Sequence, residues 1–400
     1  MKRTPNNKKI VVPGFKFSGI KSGIKKSGEM DLALIFSETP AVTAGVFTTN
    51  RIKAAPVKLA IKKIASNKGQ SIIINSGNAN ACTGKQGDKD AKKINTELAR
   101  KLGISEELVY VSSTGIIGRP LPVNKIEKAL PELIKNLSPA SMDKAAAAIM
   151  TTDTFPKLAS KKIKINGKTG TIAGIAKGAG MIRPDMATML CFLFTDIAIN
   201  AKALDSALRK AVNKSLNRLT VDNETSTNDT AMIMSNGNLG NTPLTKRSSY
   251  YKKFEGALSG VTYELSRMIA EDGEGATKII EVVVNGARSE SDAEKAASAI
   301  ANSMLVKTAV YGNDPNWGRV ISAAGASGAK LIENKIDIFF NKVKLVSKGI
   351  GTGREKTAST LLAGREITIT INLGAGKQST KVLTCDLTEK YIEINAHYTT

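Results

Sequence analysis

Three strand-like runs strung on two turns between Lys161 and Ile199 constrain this chain more than any other stretch. Lys161 to Ile165 and Thr169 to Ile175 flank Asn166-Gly167. That dipeptide accepts the positive φ of a tight two-residue turn and is the strongest short signal for a β-hairpin. The second run continues through Lys177-Gly-Ala-Gly-Met-Ile-Arg-Pro-Asp-Met-Ala-Thr188 into Met189 to Ile199, which reads as a core strand. A Gly-rich connection therefore delivers Ala187-Thr188 to the mouth of a strand. As an internal residue, a threonine there is simply a β-branched strand former. If the bond before it is cut, Thr188 becomes an N-terminal nucleophile whose own α-amine can act as the base.

The rest of the chain alternates strand and helix patterns. Gln70 to Ile74 and Leu108 to Ser112 read as buried strands that each run into a loop of small polar residues, and Ala91, Ile94, Leu98 and Leu102 between them recur at helical spacing. Ser141 is the expected N-cap of an Ala-rich helix to Met150. Leu204, Leu208, Ala211, Val212 and Ser215 mark an amphipathic helix, and Tyr250 to Ala270 reads as another. Beyond a strand at Ile279 to Val284, a break near Asn285 to Glu290 separates a second module: a helix from Asp292 to Val306, then strands at Lys335 to Phe340, Glu366 to Leu373, Val382 to Leu387 and Tyr391 to Asn395. At 400 residues the chain is long enough for two cores. Strands exceed what βαβ repetition would give, so the fold class expected is α/β (α+β) with mixed sheets and helices outside.

Composition narrows the chemistry. A single histidine, His397, leaves no His-rich metal site and makes a Ser-His-Asp or Cys-His pair depend on a residue close to the C-terminus. Three cysteines without a Cys-x-x-Cys argue against a disulfide framework or a zinc site and for a reducing compartment. The formal charge of +23 invites a nucleic-acid reading. Its lysines are scattered, however, and aromatic residues are only 4% of the chain, so there are few stacking platforms. With no apolar h-region after MKRTPNNKK and no apolar run of membrane-spanning length, the chain is expected in the cytoplasm. Two phosphate-loop lookalikes fail: Gly77 and Gly84 are separated by six residues rather than four, and Gln86 stands where Ser or Thr is required. Gly349-Ile-Gly-Thr-Gly-Arg354 lacks the third glycine at the spacing of a dinucleotide site, where Arg354 stands. No cofactor, metal, nucleic acid or membrane is expected as a partner.

Lys177 to Leu190 resembles the self-cleavage site of the ornithine acetyltransferases, the bifunctional glutamate N-acetyltransferases of arginine biosynthesis. Further blocks follow in that family's order: Leu32 to Ile35, Gly45 to Arg51, Asn75 to Gly84, Ser113 to Gly118, Thr151 to Thr154, Thr225 to Thr230, Glu271 to Lys278 and Gly312 to Arg319. They span almost the whole chain. The departures are Asp185 for the usual Asn, Asn223-Glu224 for Gly-Asp, and His397.

The resemblance implies an αββα-like sandwich with a smaller C-terminal module. Self-cleavage after Ala187 would give an alpha chain of residues 1–187 and a beta chain of 188–400, with 188–285 completing the sandwich and 286–400 forming the module. It also implies an α2β2 assembly and acetyl transfer from N2-acetyl-L-ornithine to L-glutamate through acetyl-Thr188, leaving open whether acetyl-CoA is a second donor. By the same resemblance Thr114 and Gly115 are oxyanion residues, and Thr154, Lys177, Thr188, Glu274, Asn395 and Thr400 bind substrate. On residue chemistry alone, small residues after a strand can aim backbone N–H groups at an oxyanion, and Glu274 suits a substrate ammonium. Asp314-Pro-Asn-Trp-Gly318, with the sole Trp, reads either as a turn near the site or as purely structural. Two other functions stay open at this point: a self-cleaving aminopeptidase or amidase in which water is the acceptor, and a basic binding protein with neither cleavage nor turnover.

Overall fold

A computed structural model describes residues 9–183 and 189–397. The first unit runs β1 (Phe15–Ile20), β2 (Leu32–Phe47), α1 (Ala55–Ile64), β3 (Lys68–Asn78), α2 (Gly84–Leu102), β4 (Val109–Ile116) and α3 (Val123–Lys135). It continues with α4 (Met142–Ala148), β5 (Lys157–Ile165), β6 (Lys168–Lys177), β7 (Leu190–Thr195), α5 (Ala201–Lys214), β8 (Thr230–Ser235) and α6 (Tyr251–Glu271).

Strand β2 organises this unit. Its first part, Leu32–Phe36, pairs with β1 on one side and β3 on the other, and β3 pairs in parallel with β4. Its last part, Val42–Phe47, pairs with β8, which leads to β7, β6 and β5. Between the two the register breaks from Phe36 to Ala41, and Pro40 in the gap has no N–H to donate to a ladder. The bend folds one continuous ribbon into two stacked sheets. Because side chains alternate along a strand, Ala33, Ile35, Phe192 and Phe194 meet between the sheets, where the Phe17 and Phe194 rings lie 5.1 Å apart. The opposite face of the β3 side is covered by Ile94 and Leu98 of α2 and Leu130 of α3. Leu208 of α5 and Leu258 of α6 cover that of the β7 side. This is the expected helix–sheet–sheet–helix sandwich with mixed sheets.

The second unit comprises β9 (Ile279–Ala287), α7 (Glu290–Asn302), α8 (Met304–Tyr311), α9 (Trp317–Gly325), β10 (Asp337–Phe340), β11 (Val343–Ser347), β12 (Ile350–Gly351), α10 (Glu355–Leu362), β13 (Glu366–Asn372), β14 (Gln378–Cys385) and α11 (Glu389–His397). Its sheet has the order β12-β11-β10-β13-β9-β14, with β9 and β13 parallel and the other pairs antiparallel. A core separate from the sandwich packs beneath α7.

Several local expectations hold. Asn166 and Gly167, at φ 47° and 78°, close the β5–β6 hairpin, and α6 forms despite Gly256 and Gly260. Others change. The helix expected over Asp292 to Val306 is two helices, because Ser303 adopts an extended conformation and caps α8 by accepting from Val306 N–H. Ser141 occupies the N-cap position of α4, but its hydroxyl makes no cap bond. Tyr391 to Asn395 is helix rather than strand: the run is too short for its alternation to outweigh a helical turn that puts Tyr391 and Asn395 on one face. Strand β9 pairs with β13 and β14, so the second sheet starts at Ile279, ahead of the break read at 285–290.

Candidate active site

The site forms where the two sheets of the sandwich open toward the second unit. Thr114 and Gly115 end β4, and Lys177 ends β6. Though the strands belong to opposite sheets, Lys177 Nζ lies 3.3 Å from Thr114 Oγ1, and both side chains are buried. Gly115 has φ +130°, and a Cβ there would sit 2.4 Å from the Gly77 carbonyl carbon. Only glycine allows β3 and β4 to approach so closely at this bulge, which fixes the direction of the Gly115 backbone. Asn228 braces the same corner by donating to the carbonyls of Ala79 and Ser113, both at 2.7 Å.

The second unit supplies the opposite wall. Glu274 lies in the connection from α6 to β9, where its N–H donates to the Ala179 carbonyl at 2.9 Å. Its carboxylate accepts from Asn395 Nδ2 at 2.8 Å. Gly180 passes so near that a Cβ would lie 2.4 Å from the Glu274 carboxyl carbon. Asp386 ties the connection down by accepting from the N–H groups of Thr277 and Lys278 at 2.8 and 2.9 Å. On α11, Tyr391 reaches Asp222, whose carboxylate accepts from Met181 and Ile182 N–H at 2.5 and 2.8 Å.

Thr114, Gly115, Lys177, Glu274 and Asn395 thus line one cavity, together with Thr151, Thr152, Asp222, Asn228 and Tyr391. Thr154 stands apart from that lining: its hydroxyl donates to Asp272 Oδ1 at 2.5 Å, and Thr151 and Thr152 form this part of the wall. Ala187 and Thr188 lie outside the described residues, as do Asp185 and Thr400. What is described is the head of the strand that follows. The Met189 carbonyl accepts from Thr230 N–H at 3.1 Å, and Leu190 pairs with Lys177 on one side and Thr230 on the other. Trp317 belongs to α9, where its indole donates to Glu355 at 3.0 Å and its ring packs on Gly351, away from the cavity lining.

Burial sets the electrostatics. It pulls the Lys177 ammonium below the usual lysine range, against Asp153, Asp229 and Glu274, which favour the charge. Burial pushes Asp229 well above the usual carboxylate range, although the Met189 N–H and Lys177 act the other way. Neither Asp229 oxygen makes a well-formed hydrogen bond among the described residues. Asp222 and Tyr391 are also pushed up, first by burial. The cavity therefore offers a buried lysine and a half-buried carboxylate beside a backbone corner shaped for an oxyanion, a set suited to a small zwitterion undergoing acyl transfer.

A family model describes the same chain over residues 16–400, that of the ArgJ family. The chain belongs to the ArgJ family. It is accordingly an enzyme of arginine biosynthesis. The arginine biosynthesis bifunctional protein ArgJ of Geobacter sulfurreducens is 48% identical, across 97% of this chain and 100% of the relative. That of Thermotoga neapolitana is 45% identical, across 98% of this chain and 100% of its own length. Among solved structures, the Bacillus halodurans arginine biosynthesis bifunctional protein ArgJ matches with a TM-score of 0.51 and 41% identity, over 52% of this chain and 98% of that one.

Sequence reasoning missed several residues of this ArgJ site. Asp222, Asn228 and Tyr391 carried no role, and neither did Asp153, Lys157 and Asp272 beneath the cavity floor. Asp153, Asn228 and Asp272 lie inside blocks that carried the resemblance, which was the available signal. Asp222 directly precedes the Asn223-Glu224 departure. Among the described residues no group of His, Cys, Asp and Glu could hold a metal ion, and no helix is long and apolar enough to cross a membrane.

Proposed function

We propose that the chain is a self-processed acetyltransferase that moves acetyl from N2-acetyl-L-ornithine to L-glutamate through an ester on Thr188. The observation that carries this reading is the convergence of Thr114 and Gly115 with Lys177 and Glu274 in one cavity at the head of β7. A two-substrate transfer between amino acids needs a pocket that orients the acceptor amine against water at tens of molar. Lys177 suits a substrate carboxylate and Glu274 an ammonium.

Maturation starts when Thr188 Oγ attacks the Ala187 carbonyl. The peptide becomes an ester, and water cleaves it to release the Ala187 carboxylate and a free Thr188 amine. That amine has an ordinary pKa of roughly 7.7 to 8.0, so it can take the hydroxyl proton near neutrality. In turnover, Oγ attacks the acetyl carbonyl of acetylornithine, the proton passes through the amine to the leaving ornithine nitrogen, and ornithine departs. The glutamate amine then attacks the acetyl ester, giving N-acetylglutamate and the free hydroxyl. Thr114 and Gly115 stabilise the oxyanion in both halves, a contribution of about 2.7 to 4 kcal/mol per donor in acyl transfer.

The Bacillus halodurans match supports cleavage, since 98% of that solved chain is accounted for by only 52% of this one. The word bifunctional in the relatives' names supports acetyl-CoA as a second donor. An α2β2 assembly in the cytoplasm, without further cofactor, completes the proposal. The test is intact mass and N-terminal sequencing, followed by kinetics. Wild type should give two chains, one beginning Thr188-Met-Leu, and Thr188→Ala one inactive chain. Ornithine release should accelerate when glutamate is added, with parallel double-reciprocal lines. An uncut, fully active wild type would refute the mechanism, and equal ornithine release without glutamate would make the enzyme an amidohydrolase.

A further inference from the structure

Beneath the cavity, outside its lining, lies a lysine that the reaction does not use. Lys157 opens β5 and its side chain is fully buried. Its ammonium touches Asp153 Oδ1 at 2.6 Å and Asp272 Oδ2 at 2.5 Å, with the Phe155 ring 5.0 Å away. Each carboxylate also holds backbone belonging to the site. Asp153 accepts from the N–H of Gly178, the residue after Lys177, at 2.7 Å, and from Thr151 N–H at 2.9 Å. Asp272 caps α6 two residues before Glu274 and accepts from Thr154 N–H at 3.0 Å. One ammonium therefore joins the exit of β6, the loop over 151–154 and the connection from α6 to β9.

We propose that Lys157, with Asp153 and Asp272, is a positioning triad that fixes the spacing between Lys177 and Glu274 and so sets recognition of the amino-acid substrate. The inference rests on the function proposed above, in which those two residues face the two ends of a zwitterion. Burying three charged groups is costly, and a well-packed apolar trio would stabilise a fold as well or better. What the ions add is directional contact with three separate segments. They also add charge: burial opposes ionisation of Asp153, but Lys157 and Lys177 hold it well below the usual carboxylate range. Asp153 in turn is the strongest of the groups that keep Lys177 charged, alongside Asp229 and Glu274, whereas Lys157 acts against it. Lys25 also faces Lys177 as a like charge.

Asp153 and Lys157 thus act on Lys177 in opposite directions, so their substitutions should move its titration in opposite directions, whereas a general loosening of the site would move it the same way in both. The test compares Asp153→Asn and Lys157→Met with wild type in the full chain, measuring acetylornithine–glutamate transfer across pH. Both variants should raise KM on the order of tenfold with kcat within a few-fold, as expected when a charged hydrogen bond is lost from substrate alignment. The alkaline limb of kcat/KM should move to lower pH in Asp153→Asn, where Lys177 loses a counter-charge, and to higher pH in Lys157→Met. Unchanged KM in both, or limbs moving the same way, would overturn the triad. If Lys157→Met fails to fold by circular dichroism, Asp153→Asn decides alone, since it keeps the shape and one acceptor. Wild type turning over beside an unaltered Asp153→Asn removes only the triad; wild type without transfer removes the proposed function and the triad together.

Discussion

The end of β4 and the helix α11 face each other across the cavity and are built in opposite ways. From Val109 to Thr114 every residue of β4 is buried, and the corner is locked by a glycine with no room for a Cβ. On α11 no residue is fully buried, and Asn395 is exposed even as it bonds Glu274. Backbone geometry held by packing suits an oxyanion, whose donors must not move as charge develops. Side chains on a connection and a terminal helix suit recognition, where reorientation costs little. In the proposed reaction the β4 corner would govern the chemical step, while Glu274 and Asn395 would act with Lys177 of the sandwich in choosing the molecule that reaches it.

Substitutions on the two sides should separate these roles. The largest effect is expected for Gly115→Ala. The added methyl meets the Gly77 backbone at 2.4 Å on a φ of +130°, so the corner must shift. Loss of one oxyanion donor should lower kcat by about 10²- to 10³-fold, with KM little changed. A mutant whose KM rises while kcat holds would reverse the comparison. Glu274→Gln comes next. Removing a charged partner should raise the amino-acid KM roughly ten- to a hundredfold with kcat within a few-fold, and Asn395→Ala should follow in the same direction but only a few-fold. A pure kcat loss in Glu274→Gln would put that carboxylate in the chemistry instead.

The smallest effect concerns Asp229, buried on the sandwich side at the head of β8. Its folded pKa is raised, so its stabilising contribution is present below the unfolded value of about 3.9 and is lost as pH rises through the folded one. Asparagine has no such loss. Asp229→Asn should therefore melt a few degrees above wild type at neutral pH, and the gap should shrink as pH falls toward 4. Lower stability of the variant at pH 7 would show that the carboxylate is paired in the native enzyme.

How much of this was legible depended on the kind of signal. The β5–β6 hairpin, α2, α5 and the strand at β7 followed from turn chemistry and periodicity because each pattern is local. The bend in β2 was not foreseen, since only tertiary packing reveals that one ribbon serves two sheets. Tyr391 to Asn395 was misread for a related reason: five residues cannot distinguish a period of 2 from one of 3.6, and the arbiter was contact with Asp222 and Glu274 from distant segments. In the site, Thr114, Gly115, Lys177, Glu274 and Asn395 came from resemblance to a family, and the fold brings them together across almost 300 residues of sequence. Asp222 lies outside the blocks that carried the resemblance and forms no pattern, and even for Asp153, which lies inside one, the work as an acceptor for backbone N–H groups appears only in three dimensions.

The order of strands in the β7 side of the sandwich also governs what happens to the polymer. Strand β7 lies between β6, which precedes the 187–188 bond, and β8, which follows it, while β8 in turn pairs with β2 from the far N-terminal part. If that bond is hydrolysed as proposed, β7 and β8 of the second piece lie between β2 and β6 of the first, and the β7 side of the sandwich is complete in neither piece. What was a unimolecular reaction becomes bimolecular, and the effective concentration supplied by the tether disappears. Under the proposed maturation folding would precede cutting, and the cut would work as a ratchet: a denatured, cleaved enzyme would recover only as fast as its separated pieces find each other in solution.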